Sequence, residues 1–343
     1  MKKLWHKLII LLFLITNIQV YAGEIEIQPT MFSRSNAQDR IWVGSFQLVW
    51  NDFMDKIVHN PIRFREGTPR IVYELNQQSF TANDLSERSY YKYTGKVTKS
   101  TKRNIEKGIR KKFKETSDLL DKLDLTARGD MFIIYAMLKK DFEFVNEFDK
   151  LGHSVFGEDD TAEYFGIGEN SNPILGQGIE VLFYNDSNDY AILLKTKNDD
   201  EVLLYKNASN KSFNFIYEDL LKKQNVFNGV KEFKNVDELK IPNIDLFTEK
   251  SYKELTNKRI MGTNMVINQA LQTIRFNMNS KGVKLKSEAG LTAVTTSLLP
   301  PEELTPRLFY FDKTFVIFLR ENAKKEPYFA MRVNDIKNFQ KSK

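Results

Sequence analysis

Residues 265–335 read MVINQALQTIRFNMNSKGVKLKSEAGLTAVTTSLLPPEELTPRLFYFDKTFVIFLRENAKKEPYFAMRVND, two apolar runs separated by a long polar segment. The first run, Ile274-Arg275-Phe276-Asn277-Met278, alternates apolar and polar residues and predicts a half-buried strand. The second, Thr314-Phe315-Val316-Ile317-Phe318-Leu319, is almost continuously apolar, as in a strand covered on both faces. Between them, residues 282–306 carry Lys, Ser, Thr, Glu and the pair Pro300-Pro301 without helical periodicity. A connection of that length is functional or disordered. From Val283 onward it has a period of two: Val283, Leu285, Ser287, Ala289 and Leu291 share one face, and Lys284, Lys286, Glu288 and Thr292 the other. The plain reading of this alternation is an edge strand or hairpin arm.

The same stretch resembles the end of a serpin. Asn279-Ser280-Lys281-Gly282 stands at the family's hinge, residues 282–306 at its reactive-centre loop, and Phe311-Asp312-Lys313-Thr314-Phe315-Val316-Ile317-Phe318-Leu319 with Phe329-Ala330-Met331-Arg332-Val333 at its last two core strands. Ser280 and Lys281 replace the hinge acids, and Thr314 replaces a Pro. Met131-Phe132-Ile133-Ile134-Tyr135-Ala136-Met137-Leu138-Lys139-Lys140 resembles a central-sheet strand of the family, with Tyr135 in place of an Asn. Ile179-Glu180-Val181-Leu182-Phe183-Tyr184 and Tyr190-Ala191-Ile192-Leu193-Leu194 resemble its core hairpin, and Val43-Gly44-Ser45-Phe46 the start of its buried helix. The resemblance covers residues 131–335 in order and the N-terminal part thinly.

What the resemblance implies is an α+β, serpin-like fold: large mixed and antiparallel sheets, helices mainly from the N-terminal half, and an exposed reactive-centre-type loop. It also implies a suicide-type inhibitor. A serine or cysteine protease would cut the loop, and the loop would then insert as a strand through Gly282, Val283, Leu285, Ser287, Ala289 and Leu291. Counting from Gly282 places the scissile bond near Thr296-Ser297; a register matching residues 288–294 to the family's Ala-rich stretch moves it to Leu299-Pro300 or Pro300-Pro301. Thr296, Ser297, Leu298 and Leu299 are the expected scissile region. Inhibitory members carry small residues after the hinge where Leu285, Lys286 and Glu288 stand here. The alternative therefore remains a non-inhibitory member of the fold, or another exported binding or structural protein.

Residues 1–22 predict a bacterial export signal: basic Lys2, Lys3 and Lys7, an apolar run over residues 8–15, and Val20-Tyr21-Ala22 ahead of Gly23. Residues 23–343 are expected to form one domain, periplasmic or secreted, with no stable membrane span after cleavage. The chain has no Cys, so neither disulfides nor thiolate chemistry contribute. The formal charge of +6, less the three leader lysines, leaves +3, too slight to argue for nucleic acid.

Between Lys96 and Lys114 stand nine Lys or Arg against one acid, Glu106, with Ile105, Ile109 and Phe113 at a spacing of four. This predicts an amphipathic helix with a basic face. The plain reading is a solvated face; the sharper one is a polyanion surface at Lys102, Arg103, Arg110, Lys111 and Lys114. Arg40 to Val58 reads as a buried helix, and residues 60–94 resist organisation beyond a helix start at Asp84. Enzyme chemistry has little to work with. Outside the leader the histidines are His59 and His153, which make no metal site, and no Gly-x-Ser-x-Gly elbow occurs. Gly166-Ile167-Gly168 and Gly176-Gln177-Gly178 read as turns, and Glu158-Asp159-Asp160 as a solvated acidic turn. No catalytic residue, metal or cofactor is expected.

Overall fold

The computed structural model describes residues 25–126, 131–284 and 306–340. In chain order the elements are β1 (Glu26–Gln28), β2 (Arg40–Val43), α1 (Ser45–Phe53), α2 (Arg70–Leu75), β3 (Tyr90–Lys96), α3 (Thr101–Phe113), β4 (Phe132–Leu138), β5 (Asp141–Glu143), β6 (Asp149–Phe156), β7 (Asp160–Ile167), β8 (Ile179–Asp186), β9 (Asp189–Lys195), β10 (Asp200–Lys206), α4 (Phe213–Val226), β11 (Glu238–Pro242), β12 (Ile244–Ser251), β13 (Leu271–Asn279), β14 (Gly282–Lys284), β15 (Leu308–Tyr310), β16 (Phe315–Glu321) and β17 (Phe329–Val333).

Four sheets result: β1-β2-β17-β16-β10-β9-β8, β15-β11-β7-β6, β12-β13-β14-β5, and the pair β3-β4. The apolar runs at the C-terminus are central strands of the first sheet, and all five residues of β17 are buried. That pattern follows from coverage of both faces: α4 packs Phe213 and Tyr217 against Phe318 from one side, and Phe276 of β13 stacks on Phe329 from the other, ring centroids 4.6 Å apart. In β13 the even positions Gln272, Ile274, Phe276 and Met278 are buried. Alternation there sorts one face inward, as the sequence pattern demands.

Several expectations need correction. Arg40 to Val58 is a strand, β2, followed by α1 and a π-helical turn over Met54–Val58. Its four leading residues are flat against β1 and β17, which satisfies their backbone groups before the helix begins. The helix start at Asp84 is only a 3₁₀ turn, Ala82–Asp84, and the unorganised residues 60–94 hold α2 and most of β3. Gly166 is no turn residue; it lies inside β7, where a Cβ would stand 1.9 Å from the Leu239 carbonyl oxygen of β11. Only glycine lets those strands pair. Glu158 and Asp159 do fall in the turn between β6 and β7.

Candidate functional site

The short strand β14 is held on both edges. Asn277, Met278 and Asn279 of β13 pair with Lys284, Val283 and Gly282, and Gly282, Val283 and Lys284 pair in turn with Glu143, Phe142 and Asp141 of β5. Both ladders are antiparallel. Val283 is fully buried, between Met278 and Phe142. Gly282 is required by close approach: a Cβ would stand 2.3 Å from the Phe142 carbonyl oxygen and 2.8 Å from Glu143 Cα. The preceding turn is pinned by amides of the segment that follows β5, Phe148 donating to the Ser280 carbonyl (2.9 Å) and Phe144 to that of Lys281 (3.0 Å).

Beyond β14 the two flanking strands separate. Among the described residues, β4 pairs only with β3, and β13 pairs on that side with nothing before Asn277. A slot with a cavity volume of about 1060 Å³ lies between them. Its floor is α1, through Ser45, Phe46, Val49, Trp50 and Phe53, with Phe329 and Tyr328 beyond. Its walls are β4, with Met131 and Lys139, and residues 271–275 of β13. Gln272 closes the base, donating to Ser45 Oγ at 3.1 Å and accepting from the buried Tyr252 hydroxyl at 2.8 Å.

The front of the slot is crossed by a strap, residues 115–126. On the β4 side Ser117 Oγ lies 3.0 Å from Tyr135 Oη, and Lys139 pairs with Glu115 at 3.2 Å. On the far side Asp118 meets Arg275 at 3.6 Å, Gln269 Oε1 accepts from the Asp124 amide at 2.7 Å, and Lys122 pairs with Glu249. Tyr135, which takes the place of the family's Asn, points outward into the cluster with Ile105 and Ile109 of α3. Burial pushes its hydroxyl up to about 12, against the hydrogen bond from Ser117.

One charged knot anchors the bottom of the slot. Lys140, between β4 and β5, pairs with Asp200 of β10 at 2.7 Å and with Glu321 of β16. Burial pushes Asp200 up, more than Lys140 and the Tyr328 hydroxyl pull it down. Burial also acts on Glu321, yet Lys140 and the hydroxyls of Ser89 and Ser86 outweigh it and hold the group below the ordinary carboxylate range. The described end of the long connection is held separately, by Arg307 forked onto the buried Asp237 at 2.6 Å.

Of the residues singled out in the sequence, Gly282 and Val283 sit in β14. Leu285, Ser287, Ala289, Leu291, Thr296, Ser297, Leu298 and Leu299 lie outside the described residues. Lys102, Arg103, Arg110, Lys111 and the C-cap Lys114 are exposed on or beside α3. Among them Lys102 meets Asp121 of the strap. The strap, Gln272 and the Lys140 knot were not found from sequence. Their residues carry no local signal, because partners lie up to 235 positions apart. Among the described residues no group of three or more His, Asp or Glu is placed to hold a metal, and no helix is long and apolar enough to cross a membrane.

No family model matches the sequence, and no curated protein matches it. Solved structures do. Thyroxine-binding globulin in complex with thyroxine aligns with TM-score 0.50 at 12% identity, over 87% of this chain and 93% of that one. Serpin48, described as a highly specific serpin of the insect Tenebrio molitor, aligns with TM-score 0.46 at 12% identity, over 87% and 92%. At such identity the likeness speaks of architecture alone, and with the strand order above it leads to one statement: the chain has the serpin fold.

Proposed function

We propose that this chain is a protease inhibitor that traps a serine or cysteine protease by inserting its cut loop as a strand. One observation carries the reading: β14 is already seated between β13 and β5, and the slot continues along its axis. Extending the two ladders fixes what each further residue would meet. Leu285 would lie between Phe276 and Lys140, Ser287 between Ile274 and Leu138, and Ala289 between Gln272 and Ala136. Each of these β13 partners is buried, so the apolar and small residues of the alternation take the inner face and Lys286 and Glu288 the outer one. β4 and β13 run parallel to each other, and a strand antiparallel to both completes two ladders at once.

The mechanism then has three steps. A protease binds the connection between β14 and β15 and attacks a bond within Thr296, Ser297, Leu298 and Leu299, forming an acyl-enzyme. Cleavage frees the chain on the β14 side from the tether at Arg307. The freed chain zips into the slot from β14, carrying the acylated protease with it before hydrolysis. The second reading, a binding protein of the same fold without trapping activity, is favoured by the larger residues Leu285, Lys286 and Glu288 after the hinge. A limited nick between Gly290 and Pro301 separates the two. A raised Tm together with an SDS-stable protease adduct supports trapping; an unchanged or lowered Tm supports the binding reading.

A further inference from the structure

Away from the slot, the first sheet carries an electropositive knot that the insertion reading does not use. Arg40 of β2 and Arg332 of β17 are register partners, so their side chains stand together on one face of the sheet. Both are fully or almost fully buried, at 0% and 1% exposure. Arg332 spends its donors on carbonyls, those of Ala208 (2.9 Å), Ser209 (3.0 Å) and Gln38, with Gln38 Oε1 at 3.2 Å. Arg40 uses only Nη2, on the Lys211 carbonyl at 2.8 Å, and lays its plane near the Phe213 ring, 5.2 Å from the centroid.

Arg40 Nε and Nη1 are left buried with no hydrogen-bond partner. Gln28, on the adjacent strand and the same face, is fully buried with both amide atoms unpartnered, and Asn210 Oδ1 is unpartnered in the overlying loop. Five of the eight such atoms among the described residues thus belong to this one neighbourhood. No ion pair joins either guanidinium to a carboxylate among the described residues. Asp39 gives its oxygens to the amides of Asn334 and Asp335 and to Asn338, and Glu26 accepts from Ser35. The N-terminus of α4 opens beside Arg40 and adds its positive end.

Two neighbouring buried guanidiniums are costly: Glu26 acts on Arg40 and Asp39 on Arg332, but burial outweighs both carboxylates and pushes both groups down, and unpartnered donors add to that cost. Burial and the neighbouring Arg40 already push Arg332 down to about 10. Water alone answers the hydrogen bonds but not the charge. We propose that Arg40, Gln28 and Arg332 form an anion site, taking a small monovalent ion of the halide kind, with Arg40 Nε, Arg40 Nη1 and the Gln28 amide as donors. A larger oxyanion is disfavoured because the overlying residues, Asn207 to Ser212, are held to the sheet through Arg332, Arg40 and Asn36.

The test uses the intact protein and chloride as the probe. Tm is measured at constant ionic strength while chloride replaces gluconate, and crystals are grown with bromide. The site predicts a rise of about 5 °C at saturating chloride and a bromide peak beside Arg40. The Gln28→Leu variant should reduce the chloride dependence, and Arg40→Met should abolish it if that variant folds. Equal Tm in both salts with no bromide peak overturns the proposal, as does a chloride effect that Gln28→Leu leaves unchanged.

Discussion

Replacing Ser287 by glutamate puts the proposed register to the test, because parity alone decides the outcome. Stepping from the Lys284 pairings brings Ser287 between Ile274 and Leu138, facing the apolar floor of α1. Insertion of residues 285–290 would form roughly a dozen ladder hydrogen bonds, each worth about 1 kcal/mol net. Ordering six residues costs about 9 kcal/mol, and burying Leu285 returns about 2 kcal/mol. The balance is about 5 kcal/mol in favour, a rise on nicking of roughly 10–20 °C. An unpaired carboxylate at 287 costs several kcal/mol in that surrounding, enough to cancel it. Lys286→Glu, by contrast, would face outward beside Arg275 and Lys139 and should keep the rise. The assay is a thermal scan of each variant before and after the same nick. If nicked Ser287→Glu gains as much as the parent, or Lys286→Glu loses the gain, the register and the insertion face are wrong.

Three further outcomes follow from the site. Gly282→Ala forces a Cβ onto the Phe142 and Glu143 backbone, which cannot yield as a side chain would; the uncut protein should lose about 1–3 kcal/mol, read as a lower Tm and faster exchange of the Val283 amide. In the Lys140 knot, Glu321 sits below its ordinary value, so its contribution is present above about pH 4.5 and is lost as pH falls. Asp200 sits above its ordinary value, so its contribution is present in acid and is lost as pH rises through the shifted value. Glu321→Gln should therefore lower Tm at pH 7 but little at pH 3, whereas Asp200→Asn should be neutral or stabilising at pH 7; thermal scans at the two pH values check both. Arg275→Ala releases one exposed tether of the strap, and the Tm rise after nicking should then develop about two- to fivefold faster, followed by stopped aliquots.

How much of this was legible in the sequence depends on how local the cause was. The period-two run at Ile274 and the near-continuous apolar run at Thr314 gave β13 and β16, because burial of one or both faces writes itself into adjacent residues. The helix at Thr101–Phe113 was equally clear from Ile105 and Ile109. β6 was not, since seven of its eight residues are not buried and an edge strand needs no apolar code. β3 was missed for a similar reason: its Tyr, Lys and Thr side chains are half-buried against α3 on one side and Asp52 on the other. Gly282 was singled out, but the reason a glycine stands there, close approach of the Phe142 backbone, is tertiary. Strap and slot were invisible because each is a relation between segments, not a property of one.

The slot also sets a condition on the uncut protein. Among the described residues, two strand edges that face a cavity are short of ladder partners, and satisfying their donors and acceptors inside the fold is worth more than leaving them to water that enters between apolar walls. The proposed insertion therefore requires that something keep residues 285–305 from entering before a bond is cut. Under the proposed function two sets of contacts would act as restraints. The strap shields the front through Asp118, Lys122 and Asp124, and Arg307 holds the return strand through Asp237, whose side chain is 1% exposed. The first is made of exposed contacts, each worth under about 1 kcal/mol, and so can yield within a single binding event. The second leaves a buried charge unpaired if broken, at about 3–5 kcal/mol, and so holds until a bond is cut. Arg307→Ala should accordingly permit slow insertion without any protease, seen as a second, higher-melting species accumulating on incubation of the uncut protein. A single low-melting species that persists would show that the tether at Arg307 is not what keeps the slot open.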